Sequence, residues 1–218
     1  PMDRTPETIT RLIDDLQSDD DFQRAQAAFA LGVLGEPAVQ PLTRLLAHPE
    51  RDIRMRAAWS LGVIGHAAVE PLLELAESDQ AGMRVEAIRV LGVIGEGRAL
   101  NQLFHGLTDR DALVAHRAAT ALGKIGDPRA FHPLLTALQH PSPDVRYATC
   151  NALGNLHIPD AIPALEALIV NDTHTTSWGA SVADAAQRAA QEIAAHPRER
   201  EDAFERVSAL LQRHNNEP

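Results

Sequence analysis

Leu-Gly-Val-Ile-Gly, at residues 61–65, is one of five copies of the same short motif. The others are Leu-Gly-Val-Leu-Gly at 31–35, Leu-Gly-Val-Ile-Gly at 91–95, Leu-Gly-Lys-Ile-Gly at 122–126 and, in altered form, Leu-Gly-Asn-Leu-His at 153–157. The first glycines of successive copies are 30, 30, 31 and 31 residues apart. A period in this range is typical of a stacked repeat array, in which each unit buries its apolar face on its neighbours.

Each interval between motifs carries two amphipathic helical patterns. In residues 51–64 the apolar side chains recur at helical spacing, Gly65 follows as a C-cap, and residues 67–77 repeat the pattern. Since no segment alternates with a period of two, the sequence predicts an all-α fold, a right-handed α-solenoid of helical hairpins. Helices A are predicted at about 21–34, 51–64, 81–94, 112–125 and 143–156, and helices B at about 37–47, 67–77, 97–108, 128–139 and 159–170.

The two ends of the chain depart from the repeat. Residues 5–20 contain an N-terminal cap helix, residues 21–170 hold five repeats, and residues 171–218 hold a degenerate repeat and a charged C-terminal cap helix at about 199–213. A solenoid needs such atypical ends to cover its terminal apolar faces. We therefore expect residues 1–218 to form a single domain.

Composition limits the functions open to this chain. A formal net charge of −10 argues against nucleic acid and against anionic membrane surfaces, and favours a protein or small-molecule partner. No run approaches 18 apolar residues and no apolar leader precedes the repeats, so no membrane insertion is expected. Cys150 is the only cysteine, which makes the cytoplasm the simplest location.

The repeated unit resembles a known HEAT-like repeat. Asp-x-Arg-x-x-Ala-Ala-x-x-Leu-Gly-x-Ile-Gly at 52–65, Asp-Val-Arg at 144–146 and Gly-Asp-Pro-Arg-Ala at 126–130 resemble the phycobilisome-lyase repeat over residues 20–170. That family includes lyases that attach bilins to phycobiliprotein cysteines, relatives that detach bilins, and scaffolds. Two positions depart from the pattern, Ala115 in place of arginine and His157 in place of glycine. We expect irregular stacking, and room for a site, around repeats four and five.

Arginine recurs eight residues before the first glycine in four repeats. Stacked helices lie about 8–10 Å apart, so these side chains should reach acids of the next repeat. The favoured interpretation is a structural ladder between repeats, and the alternative is a basic stripe for carboxylates or phosphates. The ladder residues are Arg24, Arg54, Arg84 and Arg146, with Asp52 and Asp144 as acids that also suit helix N-caps.

A polar column runs along helices B and varies from repeat to repeat. The resemblance implies that helices B line the concave face, so this column is the candidate binding surface; a merely solvated face is the alternative. Its residues are Gln40, Arg44, Glu70, Glu74, Asn101, His105, His132 and Thr136.

Neither a metal site nor a catalytic motif is predicted. The ten histidines form no His-Glu, His-x-x-x-His or equivalent zinc spacing, and no nucleophile elbow or phosphate loop is present. His48, His105, His132 and His140 are best interpreted as separate surface residues. His157 is expected to cap its helix.

The predicted function is a scaffold that binds a protein partner, for which the resemblance suggests a phycobiliprotein or another tetrapyrrole-carrying protein. The alternative is a bilin-lyase-like enzyme that attaches or detaches phycocyanobilin at cysteine thioethers, with catalytic residues unassigned. No cofactor is required, bilin is the candidate ligand, and a homo- or hetero-dimer stays open. For bilin the candidate contacts are Arg44, His105, His132, Trp178, Tyr147 and Phe104.

Overall fold

In a computed structural model, the structure describes residues 4–196, which are almost wholly helical. An N-terminal helix, α1 (Pro6–Leu16), precedes an alternation of long and short helices. The long helices are α2 (Asp21–Leu34), α4 (Arg51–Ile64), α6 (Ala81–Ile94), α8 (Ala112–Ile125), α10 (Pro143–Leu156) and α12 (Val182–Ala195). The short helices are α3 (Val39–Leu45), α5 (Val69–Leu75), α7 (Leu100–Gly106), α9 (Phe131–Ala137) and α11 (Ile162–Asn171). The predicted all-α solenoid is confirmed, whereas the predicted cap helix at 199–213 lies outside the described residues.

The short helices begin later than their sequence pattern predicts. Each is preceded by one turn of 3-10 helix, for example Glu36–Ala38 before α3 and Pro128–Ala130 before α9. Proline is then the second or third residue of four short helices, where its missing N–H removes no intrahelical bond. These prolines are Pro41, Pro71, Pro133 and Pro163.

The helix caps correct one expectation and support another. Asp52 and Asp144 lie inside the first turns of α4 and α10, whose N-cap residues are Glu50 and Ser142. At the other end of α10, His157 adopts the left-handed conformation, with φ 55°, and donates its N–H to the Gly154 carbonyl oxygen at 3.1 Å. His157 therefore caps its helix as the glycines do in other repeats.

The long helices form one layer and approach each other closely. A Cβ placed on Gly92 would lie 2.5 Å from the Ala121 Cβ, and one on Gly123 would lie 2.7 Å from the Ala152 Cα. Successive short helices make few contacts with each other and pack instead on the next long helix. The stack continues without a break through Ala115, which is fully buried. A Cβ on Gly32 or Gly62 would lie 3.0 or 3.2 Å from the side chain of Val63 or Val93, so α8 approaches α6 and α10 more closely than α2 and α4 approach their successors. The spacing of the long helices is therefore not uniform around repeats four and five.

One aliphatic core runs between the two layers and connects all repeats. The leucine that opens each copy of the motif is fully buried, so the motif supplies the central core position as well as the close helix contact. These residues are Leu31, Leu61, Leu91, Leu122 and Leu153.

Candidate functional site

The repeated arginines hold the turns between repeats. Arg84 makes two hydrogen bonds of 2.8 Å to the Asp109 carboxylate, and Arg146 bonds Asp172 at 2.6 and 3.1 Å. Arg84 also donates to the Ser78 carbonyl oxygen at 2.9 Å. Bidentate pairs of this kind fix geometry strongly.

The surroundings of these acids shift their pKa values. Burial raises the pKa of Asp172, but hydrogen bonds from Arg146 and from the backbone and side chain of His174 outweigh it and set the pKa at about 2. The hydrogen bond from Arg84 lowers the pKa of Asp109. Both carboxylates are therefore charged at neutral pH.

The other ladder residues make weaker contacts. Arg24 lies 3.2 Å from the Asp52 carboxylate, and Arg54 lies 3.8 Å from Glu86. Asp144, expected to be an acid of the ladder, instead accepts hydrogen bonds from the backbone N–H and hydroxyl of Ser177 at 2.7 and 2.8 Å. The guanidinium groups of the ladder already bind partners inside the fold. Few of their donors are therefore free to form the alternative, a basic stripe that binds external carboxylates or phosphates.

All eight residues of the predicted helix-B column are exposed. Glu70 forms an ion pair with Arg98 at 2.8 Å, and the Thr136 hydroxyl donates to the His132 carbonyl oxygen at 3.2 Å. This column is accessible along the short-helix layer, and its role in binding stays a prediction.

The histidines serve separate roles. His48 and His140 each accept, through Nδ1, the N–H of the residue two positions later, at 3.1 Å. Burial lowers the pKa of His140. Within residues 4–196 no three His, Cys, Asp or Glu side chains are placed to hold a metal ion.

A second surface, which sequence reasoning missed, lies on the exposed side of the long helices. Among residues 4–196, nine of the ten most exposed large apolar side chains belong to long helices or to the loop before α12. Phe29 and Trp59, the ninth residues of α2 and α4, stack with ring centroids 6.5 Å apart and line a groove of about 470 Å³. We call the following group the apolar patch: Phe29, Val33, Met55, Trp59, Val63 and Val93.

The same side carries an aromatic cluster at its C-terminal end. Trp178 packs edge-on against His116 and Tyr147, with ring centroids 5.9 and 5.6 Å away. Arg188 donates a hydrogen bond to the Tyr147 hydroxyl at 3.1 Å. Burial, and then the charge of Arg117, lowers the pKa of His116. The cluster brings together two predicted bilin contacts, Trp178 and Tyr147.

The other predicted bilin contacts lie on the short-helix layer. Phe104 lines a groove with Thr136, whereas Arg44, His105 and His132 are exposed on their own helices. Cys150 is buried, and burial raises the pKa of its thiol to about 12, so it remains a packed thiol.

This succession of paired helices, with an exposed face along each layer, defines a helical repeat scaffold. The family pattern for HEAT repeats matches residues 9–92, 69–138 and 100–183. The chain belongs to the HEAT-repeat family. No sequence among the curated proteins matches it.

Several solved structures are similar to this chain. A chain of "the complex of CpcE and CpcF of phycocyanin lyase from Nostoc sp. PCC7120" is 25% identical, with a TM-score of 0.61, over 70% of this chain and 97% of that one. Human deoxyhypusine hydroxylase is 19% identical, with a TM-score of 0.51, over 88% and 86% of the two chains. A designed armadillo repeat protein in complex with the peptide (KR)4 is 21% identical, with a TM-score of 0.52, over 85% and 99%. The last two likenesses concern the fold alone.

No helix within residues 4–196 combines the length and the apolar character that crossing a membrane requires.

Proposed function

We propose that this HEAT-repeat chain is a cytoplasmic scaffold that binds a protein partner, a phycobiliprotein or another tetrapyrrole-carrying protein. The observation that carries the proposal is the concentration of large exposed apolar side chains on the long helices. Exposed apolar groups that cluster on one side of a protein mark interaction surfaces. We place the partner on this face, with the helix-B column as the competing surface.

The packing of the helices supports this choice of face. Long helices approach one another closely enough for glycine to meet alanine, whereas successive short helices make few contacts with each other. A stack bends toward the side on which its helices lie closer. We therefore propose that the long-helix layer, and not the helix-B layer, is the concave one.

Phe29 and Trp59 are the proposed anchors. Their side chains are 60% and 50% exposed, and they lie side by side over the groove between α2 and α4. Large aromatic residues next to a pocket dominate the binding energy of many interfaces, at about 2 kcal/mol or more each. Arg56 lines the same groove and pairs with Asp21 and Asp52, so its charge is already balanced.

The test measures binding of purified phycocyanin by calorimetry and by gel filtration. Replacing both Phe29 and Trp59 by alanine is expected to weaken binding at least tenfold and to leave the helical circular-dichroism spectrum unchanged. The matched variant reverses Glu70 and Glu74 to lysine on the short-helix layer and should change affinity less than twofold. The opposite ranking of the two variants would assign the partner to helix B, and no complex with wild type would refute this partner.

A second candidate is a bilin-lyase-like enzyme, favoured by the 25% identity to a chain of the phycocyanin lyase complex. Trp178 and Tyr147 would contact the rings, and catalytic residues are unassigned. Incubation with chromophorylated phycocyanin tests detachment, and incubation with apo phycocyanin plus free phycocyanobilin tests attachment, each followed by visible absorbance. Unchanged spectra in both directions would remove it and leave the scaffold. A homodimer through the same face would appear in gel filtration as a shift of the isolated chain, whereas a hetero-dimer would require its second chain to be added.

A further inference from the structure

The exposed face of the long helices changes from apolar to cationic between α6 and α8. The thirteenth residue is valine in α2, α4 and α6, but it is Lys124 in α8. The sixth residue of α8 is Arg117, which lies two turns before Lys124 and hence on the same side of the helix. In α8, cations therefore stand at two positions that hold an apolar residue and an acidic residue in α6.

Arg117 lacks the carboxylates that neutralise its counterpart in repeat two. Arg56, the sixth residue of α4, pairs with Asp21, the first residue of α2, and with Asp52, the second residue of α4. The residues at the corresponding positions around Arg117 are Ala81 and Leu113. The Nε atom of Arg117 is buried without a hydrogen-bond partner.

Arg188 extends the cationic surface onto α12. Ala189 faces Gly154 in the same way that Ala152 faces Gly123. Arg188, the residue before Ala189, therefore holds the position on α12 that Phe29 and Trp59 hold on their own helices. Its guanidinium lies 5.8 Å from the centre of the Tyr147 ring. Among residues 4–196, no ion pair joins a carboxylate to Arg117, Lys124 or Arg188. Asp184 and Glu192 lie one helical turn on either side of Arg188, and Glu192 lines the same groove as Arg188.

Trp178 completes the surface beside these cations. Its side chain is 55% exposed although it packs on His116 and Tyr147, so part of the indole faces solvent. The Asp144 carboxylate acts electrostatically on His116 and accepts hydrogen bonds from the backbone N–H and hydroxyl of Ser177. We call Arg117, Lys124 and Arg188, together with Trp178, the cationic patch.

We propose that the cationic patch binds a carboxylate-rich segment of the protein partner, and this inference rests on the proposed function of the long-helix face. Unpaired cations are the charge complement of such a segment on a protein whose own net charge is −10. The arginines offer forked donors to carboxylates, and Trp178 gives apolar contact next to them.

The test uses an eight-residue oligoglutamate peptide with a fluorescent label, measured by anisotropy at 50 and 300 mM NaCl. The double variant Arg117→Gln and Arg188→Gln should weaken binding at least fivefold, and Lys124→Glu should weaken it further. The matched control Arg44→Glu alters charge on the short-helix layer and should change affinity less than twofold. Oligoglutamate should also change tryptophan fluorescence, and the change should vanish in Trp178→Phe.

Several outcomes would overturn the inference. These are equal binding by wild type and the double variant, an equal loss in Arg44→Glu, or no binding of oligoglutamate at 50 mM NaCl. Competition by inorganic phosphate, at a concentration equal to that of the carboxylates of the peptide, would indicate a general anion site instead. If phycocyanin binds wild type and the double variant equally, the inference fails while the scaffold function stands; if phycocyanin binds neither but oligoglutamate binds, only the named partner fails.

Discussion

Replacing Gly92 by alanine should destabilise the protein, although alanine is the better helix former. The new Cβ would lie 2.5 Å from the Ala121 Cβ and 2.9 Å from the Ala121 Cα. Carbon atoms in contact lie about 3.5–4.0 Å apart, so α6 and α8 must separate by about 1 Å. The obstacle is backbone as well as side chain, and no rotamer change can remove it.

The magnitude follows from two opposing terms. Alanine in place of glycine favours an exposed helix interior by about 1 kcal/mol. Overpacking of a close contact costs about 1–3 kcal/mol, and separation of the two helices adds to this cost along their whole interface. We expect a net loss of about 1–3 kcal/mol in the free energy of unfolding.

Gly82 in the same helix is the matched control, because a Cβ there meets nothing within 4 Å. Gly82→Ala should be neutral or stabilising by up to about 1 kcal/mol. Urea unfolding followed by circular dichroism measures both variants, and Ala121→Gly combined with Gly92→Ala should recover part of the loss. If Gly92→Ala proves as stable as Gly82→Ala, the long helices do not pack as closely as the structure describes.

Three further predictions concern single positions. The pKa of Asp172, about 2 against an ordinary 3.8, means that the interactions of its carboxylate with Arg146 and His174 together contribute about 2 kcal/mol of stability above pH 5, which is lost as the pH falls from about 4 to 2. The difference in unfolding free energy between pH 5 and pH 2 should therefore be smaller in Asp172→Asn, and an identical acid dependence would contradict the assignment. Cys150, with a pKa of about 12, should react with a thiol reagent at pH 8 only after urea unfolding, and fast labelling of the folded protein would disprove its burial. His157→Gly should raise the free energy of unfolding by about 1 kcal/mol because it relieves a left-handed residue, and a lower midpoint in urea would count against this cause.

The five long helices from α2 to α10 could be predicted to the residue because their signals are local. A periodic apolar pattern and a terminal glycine both act within one helix, and α4 begins and ends at the predicted residues 51 and 64. The starts of the short helices depend on whether the turn before each of them closes as 3-10 or α, which small energy differences decide. For this reason α9 begins at Phe131 rather than at Pro128.

The ladder was predictable in kind but not in its partners. Arginine at a fixed position predicts contacts with acids of the next repeat, but the acids that Arg84 and Arg146 bind lie in the following loops, at Asp109 and Asp172. Loop geometry, not helix register, places those carboxylates. Asp144 has the register of a ladder acid and yet serves the loop at Ser177.

The apolar patch was missed because sequence periodicity does not separate two kinds of apolar helix position. Phe29 and Trp59 fit the same i, i+3, i+4 pattern as core residues, and only the structure reveals that they are exposed. The signal was nevertheless present in the chain. The ninth residue varies from aromatic to Arg89, Thr120 and Asn151, whereas true core positions repeat.

The close packing of the long helices also determines what kind of partner can use both patches. At about 8–10 Å between adjacent helices, α2 and α12 lie roughly 40–50 Å apart along the stack. An extended segment needs about 12 to 15 residues to cover that distance, and a helix needs about 27 or more. An eight-residue peptide therefore samples the cationic patch alone, whereas a folded partner can engage Trp59 and Arg188 together. Loss of one patch should weaken such a partner without abolishing binding, because the other patch still holds it.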